Sequence, residues 1–303
     1  MKKAVVLFSG QGQQFPNMGQ DFYKNQPVYR QLIDESSQIL GRDFSQQSVF
    51  DDTKNVQLSV LLFSLGIHQM IKSLIIPQAY IGLSLGEYSA LMAAQSIDLS
   101  QGLPLVCDRA KYMQAAGQHH SGRMLAVLNA PTRDISDSLQ KARKQGDIFL
   151  ANDNTPKQKV FAGEDLAIQS FYNELKARGV KRLIDIKVDA LSHTPFMQEA
   201  YQKLGSRLKQ IQFRQPRVPV ISNTTVHPFT VDTLPETLAN QIVQPTQFGQ
   251  CLKAVESPDI DCIIQVGPGK SLTGFAKKIW STKIPLFNVY DLATLQKLQE
   301  FLK

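Results

Sequence analysis

Apolar positions along this chain follow one rhythm at its two ends and another in its middle. Residues 3–8 form a β-branched apolar run, the mark of a buried strand, which ends in the glycine-bearing loop Ser9-Gly10-Gln11-Gly12-Gln13-Gln14. Helical spacing continues to about residue 40, followed by a polar loop with Asp51 and Asp52. Residues 56–76 are nearly all apolar but are interrupted by Gln57, His68, Gln69 and Lys72, which predicts a buried helix rather than a membrane span. A second apolar strand, 79–82, runs into Leu83-Ser84-Leu85-Gly86 and a helix-forming stretch, 87–94. Ser100 is placed to cap a helix reaching residue 113, with Pro104 as an early irregularity. Strands separated by helices argue for a mainly parallel sheet covered by helices.

The rhythm then changes. Residues 123–128 alternate as a strand, 131–144 are helical, and 147–151 and 158–162 are short strands joined by a turn-rich link, 152–157. A helix over 165–178 closes at Gly179, and 181–188 is a strand. Strand, helix, strand, strand, helix, strand is the order of a ferredoxin-like unit. Afterwards the first rhythm resumes: a helix over 196–209, strands at 218–221 and 262–266, a helix over 270–280, a strand at 286–289 and a terminal helix over 292–302. The expectation is an α/β fold in which 1–121 and 191–303 form the large sheet subdomain, and 122–190 form an inserted ferredoxin-like small subdomain.

Composition narrows this little. The 303 residues are 43% hydrophobic and 19% charged, ordinary for a globular protein with a sizeable core. The net charge of +7 suits anionic partners, but the basic residues are scattered with few aromatic interleaves, so nucleic acid is not expected. Cys107, Cys251 and Cys262 lack metal-ligand spacing, and an odd number makes a poor disulfide framework. Reducing surroundings fit them better. Met1-Lys2-Lys3 precedes only five apolar residues, too few for a signal-peptide core. A cytoplasmic protein, without membrane, metal or bound cofactor, is the expectation.

Gly82-Leu83-Ser84-Leu85-Gly86 reads Gly-x-Ser-x-Gly between a strand and a helix, the context of a nucleophile elbow. A serine at the tip of a sharp turn exposes its hydroxyl, and flanking glycines let backbone approach closely. The amide of Leu85 opens a helix and has no carbonyl one turn back to bond, so it is available to an oxyanion. A serine nucleophile also needs a base. Of His68, His119, His120, His193 and His227, the first lies in the buried helical pattern, the next two in a polar loop, and the last before Pro228 in a turn. His193 differs: it follows a strand, in Ser192-His193-Thr194-Pro195, where open α/β sheets place their sites. An acid could come from Asp98, Asp108, Asp153, Asp185 or Asp189, and the pattern does not choose. The residues alone therefore reach a serine acyl enzyme, with hydrolysis among its possible outcomes.

Five ordered motifs carry the reading further. Phe8-Ser9-Gly10-Gln11-Gly12-Gln13-Gln14, Gly82-Leu83-Ser84-Leu85-Gly86-Glu87-Tyr88-Ser89-Ala90-Leu91, Asp108-Arg109-Ala110-Lys111-Tyr112-Met113-Gln114, Ser192-His193 and Val266-Gly267-Pro268-Gly269-Lys270 span nearly the whole chain. Together they resemble the malonyl-CoA:acyl-carrier-protein transacylases of bacterial fatty acid synthesis and the acyltransferase domains of polyketide synthases. The resemblance implies a hydrolase-like, mainly parallel β-sheet core with helices on both faces and a ferredoxin-like insertion. It also implies malonyl-CoA and acyl carrier protein as partners, a cytoplasmic monomer, and no cofactor.

Position by position, the resemblance implies Ser84 as nucleophile, His193 as general base, and Gln11 with the Leu85 amide as oxyanion hole. It implies the backbone carbonyl of Gln241 as the group that orients the histidine, in place of an acid. Arg109 would pair with the malonyl carboxylate, since a guanidinium fork matches a planar carboxylate. Asn152 and Asn154 match positions near the acyl pocket; Lys270, at an expected helix start, is a candidate contact for the CoA phosphate or a surface charge. Two positions depart from the common pattern: Leu83 stands where most members have histidine, and Ala190-Leu191-Ser192-His193 differs from the His-Ala-Phe-His of many malonyl-selective domains. Leu83 bears on acyl selectivity, whereas serine before the histidine occurs in discrete malonyl enzymes and in methylmalonyl-selective domains and does not decide it. The alternatives on the same scaffold are an acyl thioesterase, a non-catalytic carrier-docking module, a trans-acting polyketide synthase acyltransferase and a malonate decarboxylase transferase subunit.

Overall fold

The computed structural model describes residues 1–186, 188 and 190–303. Lys187 and Asp189 lie outside the described residues, and with them the end of the expected strand 181–188 and one candidate aspartate. Nine strands are described: β1 Lys2–Phe8, β2 Ile75–Gly82, β3 Arg123–Leu128, β4 Ile148–Thr155, β5 Gln158–Gly163, β6 Arg182–Ile186, β7 Val220–Ile221, β8 Cys262–Val266 and β9 Leu286–Val289. The chain divides into two compact units. One comprises Met1–Asp108, Gln210–Leu234 and Cys251–Lys303; the other comprises Arg109–Lys209 and Pro235–Gln250. The segment 122–190 lies within the second.

The first unit is built on a five-stranded sheet in the order β7-β2-β1-β8-β9, every pair parallel, flanked by helices. β1 is its centre: Ala4, Val5, Val6, Leu7 and Phe8 are wholly buried, as continuous apolar runs are when both faces of a parallel sheet are covered. The register sets Phe8 against Gly82 on one side and Val266 on the other. Three loops therefore leave the sheet side by side at its carboxyl edge, where open α/β sheets bind ligands. The helix Val56–Ile71 is buried around nearly its whole girth. The apolar stretch 56–76 is not one helix, because Ile75 already begins β2. His68 on that helix bonds the Tyr80 hydroxyl through Nε2 at 2.8 Å. The helix Leu99–Gln118 is longer than the sequence suggests. Its first amides bond the Asp98 carbonyl, so Ser100 lies inside it.

The second unit holds an antiparallel sheet in the order β4-β5-β3-β6, the ferredoxin-like arrangement. Alternation puts Leu125, Val127 and Phe161 on one face with Ile135, Ile168, Phe171 and Leu175 of the two crossing helices. The other face gathers Met124, Ala126, Val160, Ala162 and Leu191. β4 continues to Thr155 through most of the stretch expected to be a turn. Bulges at Leu150/Asn152 and Asp153/Thr155, with a bridge from Asn152 to Thr246, keep those polar residues extended. The helices Leu234–Gln241 and Phe248–Ala254 are too short for apolar periodicity to register. Among the described residues, no helix is long and apolar enough to cross a membrane.

Candidate active site

Ser84 sits between β2 and the helix Gly86–Ala93 with φ of +53°, a left-handed conformation that costs about 1–3 kcal/mol for a non-glycine residue and clusters at functional sites. The turn is closed by backbone against backbone. A Cβ on Gly82 would collide with the carbonyl of Gly86, and one on Gly86 with the carbonyl of Phe8, so both glycines of the motif are steric requirements. The Leu83 amide donates to the Phe8 carbonyl at 3.1 Å and the Gly86 amide to the Leu83 carbonyl at 2.9 Å. Leu85 is buried and stands immediately ahead of the helix, its amide at the positive end of the helix dipole.

The loop that follows β1 packs on this turn: a Cβ on Gly10 would approach the Leu83 carbonyl to 2.6 Å. The next residue, Gln11, is exposed. Two residues that the motifs did not assign complete the turn. Asn223, fully buried, accepts the Ser84 amide through Oδ1 at 3.1 Å. Glu87, also fully buried, accepts the Asn223 amide. The sequence signal for this pair is weak: a glutamate inside the helix after the motif, and an Asn after a short strand.

In the second unit, His193 is 4% exposed and also left-handed, with φ of +65°. Its amide donates to the Ile242 carbonyl at 2.9 Å. Its Nδ1 lies 2.7 Å from the Gln241 carbonyl. A carbonyl only accepts, so Nδ1 carries the proton and Nε2 keeps its lone pair. Burial pushes the imidazole pKa down to about 4; the Gln241 carbonyl works against that shift and the Arg109 charge adds to it. The imidazole is therefore neutral at ordinary pH. Arg109, on the helix Leu99–Gln118, is 1% exposed and donates from Nη2 to Gln241 Oε1 at 3.2 Å. Gln241 thus touches the imidazole with its backbone and the guanidinium with its side chain.

The remaining candidates fall elsewhere. Asn152 is tied to Thr246 through Nδ2 at 2.8 Å. Asn154 is buried, and its Oδ1 has no hydrogen-bond partner among the described residues. Lys270 is exposed, its ammonium 5.4 Å from the centre of the Tyr290 ring. It lines a cavity of about 520 Å³ with Gln13, Phe15 and Asp21. That cavity contains neither Ser84 nor Gln11. His68 is a core residue, while His119 and His120 are exposed.

A family model described as the acyl transferase domain matches residues 5–281. The malonyl CoA-acyl carrier protein transacylase of Bacillus subtilis (strain 168) is 30% identical over 312 residues, covering 100% of this chain and 98% of its own. That of Escherichia coli (strain K12) is 31% identical over 291 residues, covering 93% and 94%. Among solved structures, MCAT from Streptococcus pneumoniae matches with a TM-score of 0.91 and 36% identity over 99% of this chain and 100% of its own. A malonyl-transacylase in complex with a type II PKS acyl-carrier protein matches with a TM-score of 0.90 and 29% identity over 99% and 100%.

Proposed function

This chain belongs to the acyl transferase domain family, and from that premise we infer that it transfers a malonyl group from malonyl-CoA to the phosphopantetheine thiol of an acyl carrier protein, for fatty acid synthesis. The observation that carries the reading is the cluster of Arg109, Gln241 and His193 in one unit. A buried guanidinium beside a neutral base suits an acyl group that bears a free carboxylate besides its thioester carbonyl. An acetyl group would have no use for it.

The chemistry runs in two halves, as ping-pong covalent catalysis does. His193 Nε2 takes the proton of the Ser84 hydroxyl as Oγ attacks the thioester carbonyl. The oxyanion of the tetrahedral intermediate is received by the Leu85 amide and Gln11. The C–S bond breaks, and His193 returns the proton to the departing CoA thiolate. The carrier thiol then gives its proton to the same nitrogen, attacks the malonyl-serine ester and regenerates the Ser84 hydroxyl. The Gln241 carbonyl keeps the imidazole in the tautomer both halves need. It also favours the imidazolium that forms in each, so no acid residue is required. Arg109 grips the free carboxylate, offsetting the cost of burying that charge.

Segment 122–190 is taken as an insertion in the hydrolase-like chain, which the ferredoxin-like strand order supports. A cytoplasmic location is supported by three free cysteines.

Intact-mass measurement after incubation with malonyl-CoA tests the reading. Wild type should gain one malonyl group on Ser84. The Ser84→Ala variant should gain none while melting like wild type. A malonyl adduct on the variant would remove Ser84 as nucleophile.

A further inference from the structure

The two-residue strand β7 is placed where it can act on the nucleophile. Its register sets Ile221 against Ile81 of β2, so Ser222 and Asn223, just past β7, leave the sheet beside Gly82, the last residue of β2. From there Asn223 reaches the Ser84 amide with Oδ1 at 3.1 Å. Its own amide is fixed by Glu87 Oε1, and its Nδ2 lies 3.9 Å from Cys251 Sγ, which in turn donates to the Ser222 carbonyl at 3.2 Å. Glu87 belongs to the first turn of the helix Gly86–Ala93, where a buried carboxylate is favoured by the helix dipole.

We propose that Asn223, backed by Glu87, is a positioning residue that holds the Ser84 peptide in its left-handed conformation, so that the Ser84 hydroxyl and the Leu85 amide both face the reacting carbonyl. Two conformations of the Ser84 peptide compete. A serine at φ +53° relaxes towards the right-handed region unless its amide is held, because the left-handed region is strained for any residue with a Cβ. Rotating that peptide moves the hydroxyl and swings the Leu85 amide away from where the oxyanion forms. The Leu83 amide is already committed to Phe8, and Asn223 Oδ1 supplies the acceptor for Ser84. The Asn223 bond comes from 139 positions along the chain, whereas the glycines act locally. They make the turn sterically possible, and Asn223 selects its functional conformation.

The inference rests on Ser84 being the nucleophile, so it is tested with a reagent that requires only that. A fluorophosphonate reacts with an activated serine without needing the acyl pocket, and its labelling gives a rate constant and an amplitude. Asn223→Ala should label at full amplitude per folded protein but about ten- to a hundredfold more slowly, the range expected for a misplaced nucleophile. Its KM for malonyl-CoA should stay within about twofold, since Arg109 is untouched. Asn223→Asp, which keeps the acceptor and the shape, should recover most of the rate. A merely structural role would lower the amplitude and the melting temperature and leave the rate constant of the remaining enzyme unchanged. That result, or an Asp variant as slow as the Ala variant, overturns the proposal. Should Asn223→Ala not fold, Glu87→Ala, which removes the acceptor of the Asn223 amide, reads the same claim by a slower rate at full amplitude, and a wild-type rate overturns it. If wild type labels on Ser84 yet takes no malonyl group, the functional reading fails while this inference stands.

Discussion

The Ser84 turn in the first unit and the His193 turn in the second solve one problem in two ways. Each bears a non-glycine residue in the left-handed region. Around Ser84 the closure is steric, made by Gly82, Gly86 and Gly10 at distances no side chain allows. Around His193 it is made by hydrogen bonds: the backbone to Ile242, Nδ1 to Gln241, and Thr194 Oγ1 to the Leu191 carbonyl at 2.5 Å. Strain alone does not mark function, since Asn17, Gln95, Asn129 and Val226 share the conformation. What distinguishes these two turns is that the strained residue carries a reactive group and is held by partners specific to it. Closure by glycines leaves a local motif, while closure by partners 48 positions away leaves none.

Breaking the second turn's chemistry should have the largest effect. His193→Ala should lower malonyl transfer by roughly two to four powers of ten, the range for loss of general acid-base catalysis. Acylation and deacylation measured separately by rapid quench should both slow. Unchanged rates, with His119 or His120 variants inactive instead, would put the base elsewhere.

Arg109→Ala tests whether the second unit also selects the acyl group. Removing one partner of a buried charged pair costs about 3–5 kcal/mol, or roughly two to four powers of ten in kcat/KM. The loss should fall on malonyl-CoA and spare acetyl-CoA, which has no carboxylate to lose a partner. Parallel, twofold changes for both substrates would reject the carboxylate-binding role.

The smallest effect separates two buried histidines, one in each unit. Burial lowers the pKa of His193 to about 4, with Arg109 adding to the shift, and that of His68 to about 3, with Lys72 adding. Both lie below the unfolded value near 6.5. The unfolded chain therefore binds these protons first, and the stability contributed by the neutral imidazoles is complete above that value. It declines as pH falls from about 6.5 towards 3 to 4. Melting temperature should drop across this window, and His68→Gln should flatten part of the decline. Fluorophosphonate labelling of Ser84 should instead follow His193, staying near its neutral rate until pH approaches about 4. A labelling midpoint near 6.5 would show that His193 is not the buried, neutral base described here.

The sequence revealed most where physical causes are local. The buried runs of β1 and β2, the elbow and the strand–helix order of the small sheet were all readable from residues adjacent in the chain. The motif carried Ser84 and Leu85, the place after a strand singled out His193, and the family resemblance added Gln11, Arg109 and Gln241 as expectations. The boundary at Ile71 was hidden because a buried helix and a buried strand share one apolar run. The extended course of Asn152 to Thr155 was hidden because its partner, Thr246, is distant in sequence. Asn223 and Glu87 escaped for the same reason. A buried Asn has no periodicity, and its significance lies wholly in the atom it meets.

The central claim is that malonyl passes through Ser84 to a carrier thiol. Wild-type enzyme is loaded with malonyl-CoA, freed of excess CoA ester, mixed with acyl carrier protein bearing phosphopantetheine, and followed by intact mass on both proteins. The account predicts that the malonyl group leaves Ser84 as it arrives on the carrier, in equal amounts. Loss of malonyl from the enzyme as free malonate, with the carrier left unmodified, would contradict it.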